Sequence, residues 1–541
     1  MQHKPVSIPP AQRQYLQGDA QSSIGSSSTH SPDSSVAPSL LSSRRPSLTS
    51  LADYGSSTEL EAPTEASQRR VHAGPAHGSY AFRDAPHAGP SHHPTQTRAR
   101  TNTLPASFSS ERLQPSLVVI SGGSAGNALV EAFVQLASST VFVLPVSDNG
   151  GSSSELIRVF GGPSIGDIRS RLIRLIPGKD PATEAIKQLL SYRLSTTEPA
   201  RSEWHAIVEG HHELWSGMPS DRKEILRSFL VQFEAQVLAR AHRRFNFAGG
   251  SIGNFFLWAC LSSFRNIESA IYLFSTLTRI PEEHVVFPCI NTNSIVTIAA
   301  ELEDGTHIVG QNAISHPEPA NQVSAGYSFL GEDDQLGHQD SAPPSSTGGV
   351  DNPNLIFSKE HDIPLPSRIK SLYYINNYGM PVTPRPNPRF IQALTQRDML
   401  VYSCGSLFTS IMPCLALPGV ADTIASPDSR LKSKVLLLNS LPDRETPVGY
   451  TALDFIKAIQ SGLNSNLELK SSTMFHSPSV YITHCVYVTN SRISVDSEAI
   501  RALGIKTIEV PSSNKSKPLL GEYQVYQALQ QIQEETFGSR S

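Results

Sequence analysis

Six short segments of the 541-residue chain collect the residue types that phosphate and ribose chemistry requires. The first is Ser121-Gly122-Gly123-Ser124-Ala125-Gly126-Asn127. Glycines let a backbone turn sharply and approach a phosphate, whose charge then meets free N–H groups at a helix start. No Gly-Lys-Ser/Thr follows, so this is not a Walker A loop. The second is Ser147-Asp148-Asn149-Gly150-Gly151-Ser152-Ser153-Ser154, made only of glycines and hydrogen-bonding side chains. Asp148, its sole carboxylate, suits magnesium or the proton of an acceptor hydroxyl. In the third, Gly161-Gly162-Pro163-Ser164-Ile165-Gly166-Asp167-Ile168-Arg169, Asp167 reads as an N-cap and Arg169 as a fork for phosphate. Arg171 and Arg174 beyond it read as an outward helix face.

The fourth segment, Gly249-Gly250-Ser251-Ile252-Gly253-Asn254, spells G-x-S-x-G, and Asp454 and His484 follow in the order of a hydrolase triad. The preceding Phe245-Asn246-Phe247 is too short and polar for the strand that should carry a nucleophile elbow. A turn that grips a phosphate or positions a helix is the better reading. The fifth, Ser403-Cys404-Gly405-Ser406-Leu407-Phe408-Thr409-Ser410, opens a helix with four hydroxyls and a glycine, again suited to phosphate. Cys404 has no evident histidine partner and reads as inert. In the sixth, Pro442 to Thr451, Thr451 caps a helix carrying Asp454.

The elements that position these loops follow from the apolar runs between them. Leu117–Ile120 and Val141–Val146 are all-apolar and suit strands buried on both faces, with a helix from Ala128 to Ala137 between them. Residues 182–245 and Leu257–Leu277 carry helical spacing. Val285–Ile290 and Ile295–Leu302 read as strands, and Glu303-Asp304-Gly305-Thr306 signals a hairpin into the run around Ile308. Further strands are expected at Ile369–Ile375, Met399–Tyr402, Val435–Leu438, Val480–His484 and Thr507–Val510. Helices are expected at Asn387–Thr395, Ser406–Leu415, Ala452–Ile459 and Gly521–Ile532. The alternation predicts an α/β fold built on one doubly wound, mostly parallel sheet, whose ligands bind beyond the carboxyl ends of its strands.

Composition bounds the rest. Charged residues make up 17% of the chain, and 44 Lys+Arg against 48 Asp+Glu leave a net −4, so no basic field points to nucleic acid. No apolar run reaches a membrane span, and the polar start lacks a signal-peptide core, which predicts a cytoplasmic protein. The five cysteines form no Cys-x-x-Cys. Residues 1–113, rich in Ser and Pro, read as a disordered tail, and 114–535 as the nucleotide-binding domain, with a mobile insertion at about 316–360. In the tail, Ser47 after Arg44-Arg45 and Thr103 in Arg100-Thr101-Asn102-Thr103-Leu104-Pro105 fit phosphorylation sites, with a phospho-reader protein as partner.

Taken together, GGSAGN, SDNGGSSSEL, GDIR, GGSIGN, AELEDGTHIVGQNAI, CGSLFTSIMP and GYTALDF resemble, in this order, the 2-phospho-L-lactate transferase-like family. The likeness spans about residues 115–535 and is greatest to the gluconeogenesis-factor branch, whose members bind UDP-sugars. It implies a Rossmann-like domain with helical and hairpin insertions, and a nucleoside diphosphate-linked small molecule as ligand. Its transferase members move a phospholactyl group from a guanosine diphosphate conjugate to an alcohol, using magnesium. The residues expected at the ligand are Gly122, Gly123, Ser124, Gly126, Asn127, Asp148, Asn149, Gly150, Gly151, Ser152, Ser153, Asp167, Arg169, Ser251, Gly253, Asn254, Gly405, Ser406, Thr409, Ser410 and Asp454. If the chain is an enzyme, Asp148 and Arg169 are its catalytic pair and Asp148 its metal ligand. Where the branch has paired aspartates and a Gly-His-Ser, this chain has Asp148-Asn149 and Gly249-Gly250-Ser251, which thins out proton and metal chemistry but spares the phosphate cradle.

Overall fold

The computed structural model describes residues 114–538 apart from 149, 179, 197–198, 241, 316–363, 377, 469–474 and 515. The expected tail with Ser47 and Thr103, and the insertion at 316–360, lie outside the described residues. Eleven strands follow the chain as β1 Ser116–Ile120, β2 Ser139–Leu144, β3 His284–Pro288, β4 Thr297–Leu302, β5 His307–Val309, β6 Ile369–Ile375, β7 Pro381–Val382, β8 Met399–Tyr402, β9 Ser433–Leu437, β10 His484–Val488 and β11 Lys506–Val510. Seven make one sheet in the order β11-β10-β9-β8-β1-β2-β3, with every neighbouring pair parallel. From β1 the chain steps outward through β2 to β3. From β8 it steps the other way through β9 and β10 to β11. Right-handed crossovers therefore place the two sets of helices on opposite faces, which is the doubly wound arrangement.

Central position explains the apolar runs. Leu117, Val118, Val119 and Ile120 of β1 and Met399, Leu400, Val401 and Tyr402 of β8 are all fully buried, because helices cover both faces. Three of the expected strands, now β4, β5 and β6, do not join this sheet. Residues Ile369–Ile375 pair antiparallel with β4, opposing Tyr374 to Ile298 and Leu372 to Ala300, in a separate four-stranded sheet ordered β5-β4-β6-β7. Its alternation of buried and open positions is that of a sheet with one solvated face. The β4–β5 hairpin turns at Asp304-Gly305 as expected, with Gly305 at φ +85° and the Thr306 N–H donating to Asp304 Oδ1 at 2.9 Å.

Two further elements differ from expectation for local reasons. The pattern Leu257–Leu277 is two helices, Ile252–Phe264 and Ile267–Leu277, because Arg265 takes a left-handed φ of 50° and Asn266 caps the second through the Glu268 and Ser269 N–H groups. Residues Pro478–Tyr481 form a helical turn instead of a strand, with Pro478 in its first position, and the strand starts only at His484.

Between β2 and β3 the chain inserts seven α-helices, from Gly151–Phe160 to Ile267–Leu277. An aromatic cluster ties several of them together. Phe233 stacks on Phe255 with centroids 4.5 Å apart, and Trp204 meets Phe255 edge-on at 5.2 Å. The GGSIGN turn owes its glycines to this packing. A Cβ on Gly250 would lie 2.4 Å from the Phe255 ring, and one on Gly253 would lie 2.3 Å from the Leu190 carbonyl oxygen. Among the described residues, no helix is long and apolar enough to cross a membrane.

Gly253→Ala is expected to destabilise the fold by about 1–3 kcal/mol, since backbone and not a mobile side chain blocks the new methyl. Denaturant unfolding measures this, and an unchanged midpoint would contradict the packing role.

Candidate functional site

The strand order reverses between β1 and β8, and the loops leaving their carboxyl ends run side by side. A Cβ on Gly122 would lie 2.3 Å from the Ser410 hydroxyl, so the two loops touch only because residue 122 has no side chain. Asn439, after β9, braces the β8 loop from outside: its Oδ1 accepts from the Gly405 N–H at 3.2 Å and its Nδ2 donates to the Gly405 carbonyl at 2.7 Å.

The helix Gly166–Leu175 supplies the charged floor. Its N-cap is Ile165, so Asp167 does not cap it. The Asp167 carboxylate instead accepts the N–H of Gly123 at 2.9 Å. Arg171, expected on an outward face, is fully buried. It donates to Asn127 Oδ1 at 2.8 Å, Ser121 Oγ at 3.0 Å and the Gly122 carbonyl at 3.1 Å, and lies 4.7 Å from the centre of the Phe142 ring. Arg169 points to the next helix and donates from Nε to Asn254 Oδ1 at 3.2 Å. Arg193 stands near it, bonded through Nη1 to the Gly249 carbonyl at 3.2 Å. The structure thus brings the expected residues Gly122, Gly123, Asn127, Asp148, Asp167 and Arg169 together at the carboxyl end of β1 and β2. Gly150 is there too: its N–H fixes the Asp148 carboxylate at 2.9 Å, and Asn312 packs where its Cβ would stand.

Burial and repulsion shape the titration of these groups. Close packing raises the Asp167 carboxyl to about 7, with help from the Asp148 charge, while the Gly123 N–H, Arg171 and Arg169 pull the other way. Asp167 still shows part of its surface to the cleft. Burial lowers Arg169 and Arg171 to about 10, Arg169 also through Arg193, which leaves both charged at neutral pH. With Asp167 part-protonated at neutral pH, three guanidiniums against Asp148 and Asp167 leave a surplus of at least one positive charge, which favours an anion.

Other expected residues have structural employment. The Thr409 hydroxyl and the N–H groups of Phe408 and Thr409, which a phosphate at this helix start would need, are all taken by Glu445, at 2.8 and 3.1 Å for the two N–H groups. Glu445 is fully buried, and burial beside Asp443 raises its carboxyl to about 7. Ser406 stands at the N-cap without a side-chain cap bond. Asp454 accepts from the N–H and hydroxyl of Thr451 at 2.8 and 2.9 Å, as a helix cap, and pairs with Arg368 at 3.7 Å. Ser251 and Asn254 are fully buried, Ser153 nearly so, and Gly126 packs under Arg171. Asn149 and the side chains of Ser124 and Ser152 lie outside the described part of the structure, and Gly151 begins the helix Gly151–Phe160.

Two alternative chemistries lose their geometry. His484 begins β10, at the amino end of a parallel strand, whereas Ser251 stands at the N-cap position of the helix Ile252–Phe264 and Asp454 follows the carboxyl end of β9, so no triad forms. Burial pushes the Cys404 thiol up to about 12, and its Sγ contacts the Leu437 carbonyl at 3.7 Å, so it is no ready thiolate. Sequence reasoning missed Arg171, Asn439 and Glu445. For Arg171 the signal was its position four residues after Asp167.

Comparison with known proteins agrees with this architecture. The family model described as 2-phospho-L-lactate transferase CofD matches residues 117–513, and the chain belongs to that family. Protein YNL011C of Saccharomyces cerevisiae is 33% identical over 435 residues, taking in 74% of this chain and 96% of the yeast protein. The gluconeogenesis factor of Halalkalibacterium halodurans is 21% identical over 396 residues, covering 73% of this chain and 88% of the factor. The crystal structure of protein BH3568 from Bacillus halodurans shares the fold with a TM-score of 0.50 and 18% identity, covering 77% of this chain and 99% of that one.

The elevated Asp167 carboxyl carries a pH signature. Its ordinary value is 3.8 and its value in the fold is about 7, so the native chain binds more protons between these limits and loses stability as pH rises through them. Asp167→Asn keeps an acceptor for Gly123 but cannot ionise. Relative to the native chain, its thermal midpoint should climb from pH 4 to pH 7 and then level off. A difference independent of pH would contradict the assignment.

Proposed function

We propose that the cleft between the β1, β2 and β8 loops binds a nucleoside diphosphate-linked small molecule, of the UDP-sugar or guanosine diphosphate conjugate type. The observation that carries this is the cleft floor. Beside the Gly-rich loop after β1, whose Gly122 and Gly123 are packed against Ser410 and Asp167, Arg169 and Arg193 have no ion-pair partner among the described residues and are left to an anion. The Gly405–Ser410 turn contributes shape through Gly405, Ser406 and Ser410. It does not offer a phosphate the donors that Glu445 already holds. The ribose or attached group falls to Asn127, beside the first loop; Asn254 and Asp454 are held in the structural contacts described above.

In the leading reading the chain is a cytoplasmic metabolic regulator of the gluconeogenesis-factor kind, the name borne by its H. halodurans relative. The phosphorylatable tail, read by a phospho-binding partner, would pass on ligand occupancy. A second reading, an active transferase, draws on the nearness of Asp148 to Asp167. There an acceptor hydroxyl gives its proton to Asp148 as its oxygen bonds to phosphorus. The nucleoside monophosphate departs with the bond it breaks, and Arg169 steadies its charge. Among the described residues no third His, Cys, Asp or Glu joins the two aspartates. Magnesium fits such a sparse site if Asp148 and the ligand's own phosphates hold it, and it would supply neutralisation of the diphosphate charge.

Calorimetric titration with UDP-N-acetylglucosamine, UDP-glucose, GDP and GTP, each with and without magnesium, tests the proposal. Saturable binding of a UDP-sugar without turnover is expected, and silence from all four would overturn the ligand reading. Asp148→Asn separates the two roles: a regulator keeps its affinity within about threefold, whereas a transferase loses roughly 100-fold or more of its turnover.

A further inference from the structure

Asp167 and Arg171 stand four residues apart on the helix Gly166–Leu175, so their side chains rise from one face. One peptide plane of the Gly-rich loop lies between them. The Gly122 carbonyl accepts from Arg171 Nη2 at 3.1 Å, and the Gly123 N–H donates to Asp167 Oδ2 at 2.9 Å. These two groups are opposite ends of the same trans peptide, so the helix grips the plane from both sides.

The glycines of the loop fit this grip. A Cβ on Gly123 would lie 1.9 Å from Asp167 Oδ1, and one on Gly126 would lie 2.7 Å from Arg171 Nη2. Arg171 also takes Ser121 Oγ and Asn127 Oδ1, so one guanidinium holds the first, second and last residues of the SGGSAGN segment. Its Nη1 is buried with no hydrogen-bond partner. A buried cation with an idle donor is an expensive way to fix a turn if stability alone were served. The helix that follows the turn, Ser124–Asn127, has only four residues and little dipole with which to orient an anion.

We propose that Asp167 and Arg171 are positioning residues for the ligand: by turning both polar groups of the Gly122–Gly123 peptide inward they fix the shape of the Gly-rich loop that the diphosphate meets. This rests on the ligand reading above and deepens it. The loop is ordered before the ligand arrives, so binding does not spend free energy on ordering it. Asp167 acts through its hydrogen bond, so an uncharged acceptor of the same shape serves as well.

Two measurements on the full chain test this. Hydrogen exchange of the peptide covering residues 117–129 is followed without ligand, and magnesium-free UDP-N-acetylglucosamine affinity is measured by calorimetry. Asp167→Ala and Arg171→Lys should speed exchange in the loop while β1 stays protected, and weaken affinity about tenfold. Asp167→Asn should recover both readouts, which a purely electrostatic role would not allow. Native exchange in Asp167→Ala would overturn the clamp, as would Asp167→Asn behaving like Asp167→Ala. Faster exchange with unchanged affinity would overturn its service to the ligand. If the native chain binds no nucleotide, the ligand reading falls and with it the positioning role, while exchange still decides whether the clamp exists. If Arg171→Lys fails to fold, the two Asp167 variants carry the test.

Discussion

The reversal of strand order between β1 and β8 is the constraint on which the structure depends. Two parallel strands lie side by side, and the chain leaves them in opposite directions. Their loops cannot cross, so a crevice opens between them at the carboxyl edge of the sheet. The burial of Leu117–Ile120 and Met399–Tyr402 keeps that edge rigid. The family to which the chain belongs fixes this framework, and the chain's own residues decide what the crevice meets.

Those residues lie mostly on one helix. From Gly166–Leu175, Asp167 and Arg171 reach the first loop while Arg169 reaches Asn254 on the helix Ile252–Phe264. Burying two guanidiniums costs desolvation free energy, seen in the depressed titration of both. Hydrogen bonds from Arg171 to Ser121, Gly122 and Asn127 offset that cost on one side. Among the described residues one side-chain acceptor, Asn254 Oδ1, lies in hydrogen-bonding range of Arg169, and an anionic ligand would add more. The opposite device operates at the β8 turn, where Glu445 fills the anion position with the protein's own carboxylate. In the first loop the Gly123 N–H is likewise taken by a protein carboxylate, that of Asp167.

Much of this was legible in the residues. All-apolar runs gave away the buried strands, Asp304-Gly305 gave the hairpin, and the Gly/Ser/Asn clusters after β1, β2 and β8 fall together at the carboxyl edge of the sheet. What stayed hidden depends on contacts between distant segments. Glu445 and Thr409 are 36 residues apart, and no local pattern joins them. Arg171 alternates with leucine and isoleucine as a solvated cation would, and only the loop 50 residues earlier supplies its acceptors. The glycines of GGSIGN and GGSAGN both read as phosphate turns, but distant residues claim the space beside them: Phe255 and Leu190 in the one, Ser410, Asp167 and Arg171 in the other. Residues Ile369–Ile375 carried a usable signal in their alternation, which belongs to a half-open sheet.

The most direct test of the central claim is a crystal structure of the chain with a bound UDP-sugar. The two phosphorus atoms are expected in the crevice between the β1 and β2 loops, against the Gly-rich loop and within contact of the Arg169 guanidinium, with the β8 turn still closed by Glu445. A diphosphate seated on the Phe408 and Thr409 N–H groups with Glu445 displaced, or bound away from the carboxyl edge of the sheet, would contradict it.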